Sequence, residues 1–515
     1  VADALGLCVD LGTGGPKIGL VGFDGRLVAQ ELHAVATTFG PGGAATQDAR
    51  QWWQLIADSA RRLIAGVDGA GARVLAVAVT GQWSSTVPVD AHGEPTGPCI
   101  TWQDTRGGRH VRERIGGRVA GYKAVDVARW VRKTGGAPST VGADPIGHIL
   151  HLLHDEPEQA ARTRWFLEPV DYLTMCFTGV AAASHASMQG AWLTDNRHLD
   201  RLAYDPDLLD AVGVPEAKLP PLQPIGSVIG PVRAAVAAEL GLGPDVVVIT
   251  GLPDLQAAAL GAGATQRHST HLALSTTSWI SCPVDAKKTD ISHSVATVPG
   301  LTNAQYLVVN NQNTGARGLE WLRGVLAGAG QSLDYDELTA LAATSSPGAR
   351  GVLFSPWLAG EISPVDDNAA RGGFTNLSVT TTTADLVRAV MEGVAMNSAW
   401  LLGYVEKFCG ARLEPIRLVG GGARSALWCQ ILADVLDRPV EQVPDPMFAQ
   451  LRGMATLAAV ALGERTLADL EYQRESGRRF EPDPATVATL APLTRELPDI
   501  YATSKARFRR LNPRR

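Results

Sequence analysis

Two aspartates, each at the end of an apolar run beside glycine, are the first residues in the chain that suggest chemistry. Asp10 closes LGLCVD and opens DLGTGGPK, where Gly12, Gly14 and Gly15 leave room for a ligand against the backbone. In such a turn successive backbone amides and the Thr13 hydroxyl can hold phosphoryl oxygens, and Asp10 can take a magnesium ion or its water shell. Lys17 can add positive charge, or can be an ordinary surface lysine. The turn is not a GxxxxGK[ST] phosphate loop, because Ile18 follows Lys17, and it is not a GxGxxG dinucleotide fingerprint. Asp254, in GLPDLQAAALGAG, follows another apolar strand and starts a helical pattern. A carboxylate there can take the proton of a hydroxyl as its oxygen attacks a phosphoryl group; the competing reading is a helix-capping aspartate.

These residues need strands that end in turns. Leu5, Leu7 and Val9 alternate, KIGLVGF returns, and Asp24-Gly25 turns, which predicts strand, glycine turn, strand. Asp48 predicts the cap of a helix with Trp52, Trp53, Ile56, Ala60 and Leu63 on its apolar face. VLAVAVT is a strand delivering Gly81 and Gln82, and PCITWQD leads a loop at Trp102 toward the same cavity. Pro169 predicts the start of a buried helix in WFLEPVDYLTMCFTG. DVVVITGLPDLQAAALGAGA gives strand, turn and helix at a lobe junction. A second sheet begins near HLALSTTSWI, and a long helix is expected over roughly residues 383 to 405. IRLVGGGARSALWCQILADVLDRPV repeats the strand, glycine turn, helix, strand scheme, with Asp434 expected to face solvent and Trp428 to pack in the core or near a ligand. The expected units are a first lobe over 1–252, a second lobe over 253–485, and an extension with a basic tail over 486–515.

At 515 residues, about two to four cores are expected, and two large lobes fit best. A 45% hydrophobic and 19% charged composition describes a globular protein, the strand and helix patterns make it α/β, and the net charge of −6 gives no general attraction to nucleic acid or anionic membrane. No apolar run is long enough for a membrane span. Six cysteines without C-x-x-C spacing suggest neither a disulfide framework nor a zinc site, and point to a reducing cytosol. The basic run KARFRRLNPRR could touch an acidic partner, fray into solvent, or clasp acidic residues of the chain itself.

Taken together, DLGTG, GQW, WQDTR, GLPD, STTSW, the GE-containing ARGG region and GGGARSALW, in this order, resemble the FGGY carbohydrate kinases, especially their xylulose-kinase-like members. The resemblance runs through roughly residues 5 to 480. It implies two ribonuclease-H-like lobes of the sugar kinase/actin-like type, with a sugar in the interlobe cleft and ATP held largely by the second lobe. Asp254 becomes the general base and Asp10 the organiser of magnesium and phosphate. Gln82, Trp83, Trp102, Asp104 and Arg106 fall in the sugar region, although the tryptophans can equally pack in the core and Asp104 and Arg106 can be a local ion pair. Thr276, Thr277 and Ser278 form a second phosphate segment, and Gly421, Gly422, Ala423 and Ser425 the adenosine or phosphate edge. The implied reaction is phosphorylation of a primary hydroxyl of a small ketose, D-xylulose first, and a homodimer is implied as well.

Three segments depart from the pattern of that family. The methionine-histidine-glycine continuation after GQ is replaced by Trp83-Ser84-Ser85, Thr276 and Trp279 stand where glycine is common, and Ile362 replaces the arginine after GE. They leave open a kinase for another pentulose or polyol, or a sugar- and nucleotide-binding regulator with weak or lost transfer. Asn310 to Asn313, read as turn or cap residues, are secondary candidates.

Overall fold

The computed structural model describes residues 3–119, 121–468 and 477–512. Strand Leu5–Gly12 is the axis of the first sheet. It pairs antiparallel with Gly15–Gly22 and parallel with Val74–Gly81. Outward from these, Gly15–Gly22 pairs with Leu27–Leu32, while Val74–Gly81 pairs in parallel with Val247–Ile249 and with Leu252–Pro253. Gly15 is required at its turn: its φ is +131°, and a β-carbon would run into the His33 carbonyl oxygen.

Strand alternation sorts the core. Leu5, Leu7, Val9 and Leu11 pack with Trp52 and Ile56 of helix Ala49–Gly66, which Asp48 caps by accepting the Arg50 amide. Cys8, on the other face, packs with Ala257 and Ala258 of helix Asp254–Gly261 and with Met454 and Ala455 of helix Ala449–Ala461. A strand covered on both faces reads as a continuous apolar run, as this one does. Val77 and Val79 of the neighbouring strand face the first helix, whereas Ala76 and Ala78 face the other two.

The second lobe repeats the scheme. Its five-stranded sheet runs Ser278–Ser281, Thr270–Leu274, Ile416–Val419, Val440–Gln442, Arg478–Phe480, with the middle three parallel and the outer two antiparallel to their neighbours. Both lobes are therefore of the ribonuclease-H and actin-like type. Helix Thr383–Cys409, started by a Thr382/Asp385 capping box and ended by left-handed Gly410, supplies much of the second core and runs one turn beyond its expected end.

The C-terminal extension is a helix, Pro484–Leu511, laid on the second lobe. Its Leu490, Leu497 and Tyr501 are buried, and the Tyr501 hydroxyl donates to Asp367 at 2.9 Å. The basic run from Lys505 continues this helix, Asn512 Nδ2 donates to the Ala369 carbonyl, and residues 513–515 lie outside the described residues. The same helix corrects the expectation for Asp434. That residue is only 5% exposed, because it accepts the Asp483 amide at the start of the extension as well as the Gln430 side chain. No helix among the described residues is long and apolar enough to cross a membrane.

Helices Asp254–Gly261 and Ala449–Ala461 cross where the lobes meet, backbone against backbone. A β-carbon at Gly453 would strike the Ala257 carbonyl oxygen, and one at Gly261 that of Ala449. Gly453→Ala is therefore expected to destabilise the fold by about 1–3 kcal/mol. Gly324→Ala, in an open position inside helix Arg317–Gly328, is expected to stabilise it by about 0.5–1 kcal/mol. Urea unfolding of the two variants checks both signs.

Candidate active site

Parallel register brings the candidate residues to one edge. Asp10 lies level with Thr80, and Thr80 with Leu252, so Gly12, Gln82 and Asp254 all leave the carboxyl ends of adjacent strands. Ligands of open α/β sheets bind at that edge. One strand separates the chain segments of Asp10 and Asp254, a spacing of about 10 Å.

Asp254 is the first residue of its helix. Pro253 occupies the cap position and no side chain caps the helix, so the capping reading does not describe Asp254. Asp254 is partly buried, between strand Leu252–Pro253 and its own helix. Burial first, and the Asp10 charge second, push its pKa up to about 7 against the opposing pull of the Leu255 amide and Lys17. A base near neutrality suits removal of a hydroxyl proton.

Asp10 is paired directly across the hairpin with Lys17, Nζ to Oδ2 2.7 Å. Lys17 is thus not a free surface lysine. Burial acts to lower its pKa, but Asp10, and more weakly Asp254, hold it above the ordinary lysine value. The second Asp10 oxygen makes no hydrogen bond among the described residues, where no group of three metal-binding side chains assembles. That donor set fits magnesium held by one carboxylate together with phosphates and water, not an all-protein cage.

At the end of the neighbouring strand Gln82, 4% exposed, is tied to Thr13 and Gln47. Trp102 is 42% exposed; its indole Nε1 donates to Thr13 Oγ1 and its amide to Ser85 Oγ. Trp83 is half-buried beside Ser84, whose φ is +62°. Asp104 is fully engaged: it accepts the amides of Ala45 and Arg106 and two nitrogens of the Arg106 guanidinium. Burial opposes its charge, but these partners hold its carboxyl below the usual carboxylate range. Asp104 shapes the loop, and the pair is the local ion pair that the sequence left open.

In the second lobe the turn at Ser275–Thr277 projects, with Thr276 exposed and Thr277 half-buried. The expectations for Ser278 and Ala423 are revised, and Ser425 takes the cap role that was open to it. Ser278 is fully buried on its strand, with a hydroxyl facing inward and unpartnered, so it offers nothing to a phosphate. Ala423 is packed inside, its carbonyl accepting from Gln442 Nε2. Ser425 caps helix Ala426–Leu436 by accepting the Trp428 amide, and Trp428 is core, its indole donating to the Met391 carbonyl. Gly420 lies against Ser275, Gly421 faces open space and Gly422 abuts Leu274, so the glycine turn and the phosphate segment are neighbours.

The N-terminal domain of the FGGY family of carbohydrate kinases matches residues 5–261, and its C-terminal domain matches residues 275–462. The chain belongs to that family. Among its relatives, a xylulose kinase of Staphylococcus epidermidis is 27% identical over 459 residues, covering 89% of this chain and 88% of the other. A gluconokinase of Bacillus subtilis is 24% identical over 468 residues, with the same coverages of 89% and 88%. A ligand-bound xylulose kinase from Lactobacillus acidophilus has the same fold, with a TM-score of 0.85 and 23% identity over 99% of this chain and 100% of that one. A gluconate kinase from the same organism gives 0.84 and 23% over 99% and 100%. Phosphoryl transfer to a carbohydrate is the general activity of an FGGY kinase.

Sequence reasoning missed Gln47 and Glu168 at this site. Gln47, 3% exposed, donates to the Thr13 carbonyl at 2.8 Å and to Thr37 Oγ1 at 3.0 Å. Glu168 accepts the Ser85 amide at 3.1 Å, and burial pushes its carboxyl well above the usual range. Neither belongs to a motif, and no signal in the chain marks them.

Because its folded pKa lies above the ordinary 3.8, Asp254 favours the fold when protonated. That contribution is complete below about pH 4 and is lost as pH rises through about 7. Asp254→Asn is therefore expected to have little effect on the melting temperature at about pH 4.5 and to raise it by several degrees at about pH 8. Thermal melts across that range check it; an equal offset at every pH rejects the raised pKa.

Proposed function

We propose that this FGGY kinase transfers the terminal phosphoryl group of ATP to a primary hydroxyl of a small ketose, with D-xylulose to D-xylulose 5-phosphate as the leading reaction. The observation that carries this reading is the uncapped Asp254 carboxylate, with a pKa near 7, at the head of the interlobe helix and beside the Asp10–Lys17 pair. Asp254 accepts the hydroxyl proton as the oxygen attacks the γ-phosphorus, the bond to the β-phosphate oxygen breaks, and ADP leaves. The backbone turns at Gly12–Gly14 and Thr276–Thr277 approach the phosphates, and Gly421 leaves space for the nucleoside. Bound magnesium, with Asp10 as its protein anchor, would supply charge neutralisation at the phosphates.

The acceptor loop favours a second reading of the substrate. With Trp83-Ser84-Ser85 in place, the loop offers an indole and hydroxyls but no histidine, which suits another pentulose or polyol; the gluconokinase relatives add an aldonate to that list. A sugar- and nucleotide-binding regulator would close around its ligands without forming product. Six free cysteines support a reducing compartment, the cytoplasm, and a homodimer remains part of the proposal on family resemblance.

The test is a panel of pentuloses, hexuloses, glycerol, four- and five-carbon polyols and gluconate, with ADP release and the position of the phosphate measured. A ketose phosphorylated at a primary hydroxyl is expected, and Asp254→Ala is expected to lower kcat by about 10²–10⁴-fold while ATP still binds. Near-normal turnover in that variant removes Asp254 as the base. ATP binding without product from any acceptor at high enzyme concentration supports the regulator.

A further inference from the structure

The acceptor side and the phosphate turn are joined by hydrogen bonds whose direction is fixed by groups that can act in only one way. The Thr13 carbonyl can only accept, so the Gln47 atom 2.8 Å from it is the amide nitrogen. Gln47 Oε1 therefore faces Gln82, which must turn its own nitrogen toward it, at 3.2 Å. Gln82 Oε1 is left facing Thr13 Oγ1 at 3.2 Å, and in that pair only the hydroxyl has a proton to give. The indole Nε1 of Trp102 can only donate, and it donates to the same Thr13 oxygen at 3.1 Å. The single proton of the Thr13 hydroxyl is thus committed to Gln82.

The next step rests on the kinase reading, in which Thr13 stands at the phosphate turn. A phosphoryl oxygen is an acceptor and needs that same proton. We propose that Gln47 and Gln82 form an interlock: Gln82 withholds the Thr13 proton from the nucleotide until a hydroxyl of the sugar acceptor donates to Gln82 Oε1 in its place. Gln47 is the positioning residue. It stops the Gln82 amide from turning over, because a reversed amide would set two carbonyl oxygens face to face. Gln47 is itself held by Thr13 and Thr37 and is almost fully buried. The acceptor and ATP consequently bind with positive coupling, and ATP alone is held in a geometry that disfavours transfer to water.

The test uses the full chain, a non-hydrolysable ATP analogue measured by calorimetry, and ADP release from ATP without acceptor. Gln47→Met removes the brace and lets the amide turn, and Gln82→Met removes the acceptor of the Thr13 proton outright. Each is expected to tighten the analogue about tenfold in the absence of acceptor, the value of one charge-assisted hydrogen bond, and to raise acceptor-free ADP release. In wild type a saturating acceptor is expected to tighten the analogue by a similar factor, and Gln47→Met is expected to abolish that effect. A merely structural role would lower analogue affinity together with melting temperature. Unchanged or weaker analogue binding in the folded variants overturns the interlock, as does a wild type indifferent to a phosphorylated acceptor. If Gln47→Met does not fold, Gln82→Met carries the same comparison. If no carbohydrate is phosphorylated, the kinase reading fails, while the acceptor-free analogue affinities still decide the interlock.

Discussion

Two carboxylates share one lysine at the edge of the first sheet, and much of the molecule serves to keep them there. Antiparallel register sets Lys17 across from Asp10, and parallel register through Val74–Gly81 sets Pro253, and so Asp254, level with the end of the same strand. The lysine closes on Asp10 at 2.7 Å and not on Asp254. That asymmetry separates the roles of the acids. Asp10, ion-paired with Lys17 through one oxygen, keeps its second oxygen for a metal, whereas burial and the Asp10 charge leave Asp254 basic enough to take a proton. Had Lys17 paired with Asp254, the carboxylate would have been stabilised and made a poor base. Charges in such a site need a stiff apolar surround, which the doubly covered strand Leu5–Gly12 provides.

The position of Asp254 depends on its helix as much as on its strand. It is the first helical residue, so any tilt of Asp254–Gly261 moves the carboxylate directly. The tilt is fixed by the crossing with Ala449–Ala461, where Gly261 and Gly453 let the backbones touch. These two helices also join the lobes. The small-residue surface that holds Asp254 in place is therefore also where the two helices cross, so packing and the placement of the candidate base share one constraint.

Where physics acts locally, the sequence was legible. Period-two alternation located Leu5–Gly22, and Asp48 located its cap, because each signal spans a few residues. Asp254 was ambiguous, and the ambiguity was local too: whether it capped the helix depended on Pro253, which takes the cap position itself. What could not be read were contacts between distant segments. Gln47 meets Thr13 and Gln82 from 34 and 35 residues away and carries no motif. Asp434 looks outward on its own helix until a segment 49 residues later covers it. Ser278 and Ala423 follow turns that do lie near the expected ligand, but their side chains face the core, and a motif does not report which way a side chain points.

Two tryptophans stand where the family resemblance leads one to expect other residues, and the fold gives them opposite consequences. Trp279 turns into the protein interior. Its ring is buried between the lobes, and its indole donates to His271, an imidazole that burial keeps neutral by lowering its pKa to about 3. The turn before it keeps Thr276 exposed, so this substitution does not fill the phosphate segment. Trp83 stays half-buried on the acceptor loop, where Ser84 takes a left-handed conformation and Glu168 holds Ser85 from below. Ser85 in turn holds the Trp102 backbone, and Trp102 reaches Thr13. Under the proposed kinase reading the loop change acts on the acceptor, and hydrogen bonds from Glu168 through Ser85 and Trp102 connect the loop to Thr13. A chain arranged this way can alter its acceptor while the Asp10, Lys17 and Asp254 constellation stays as it is.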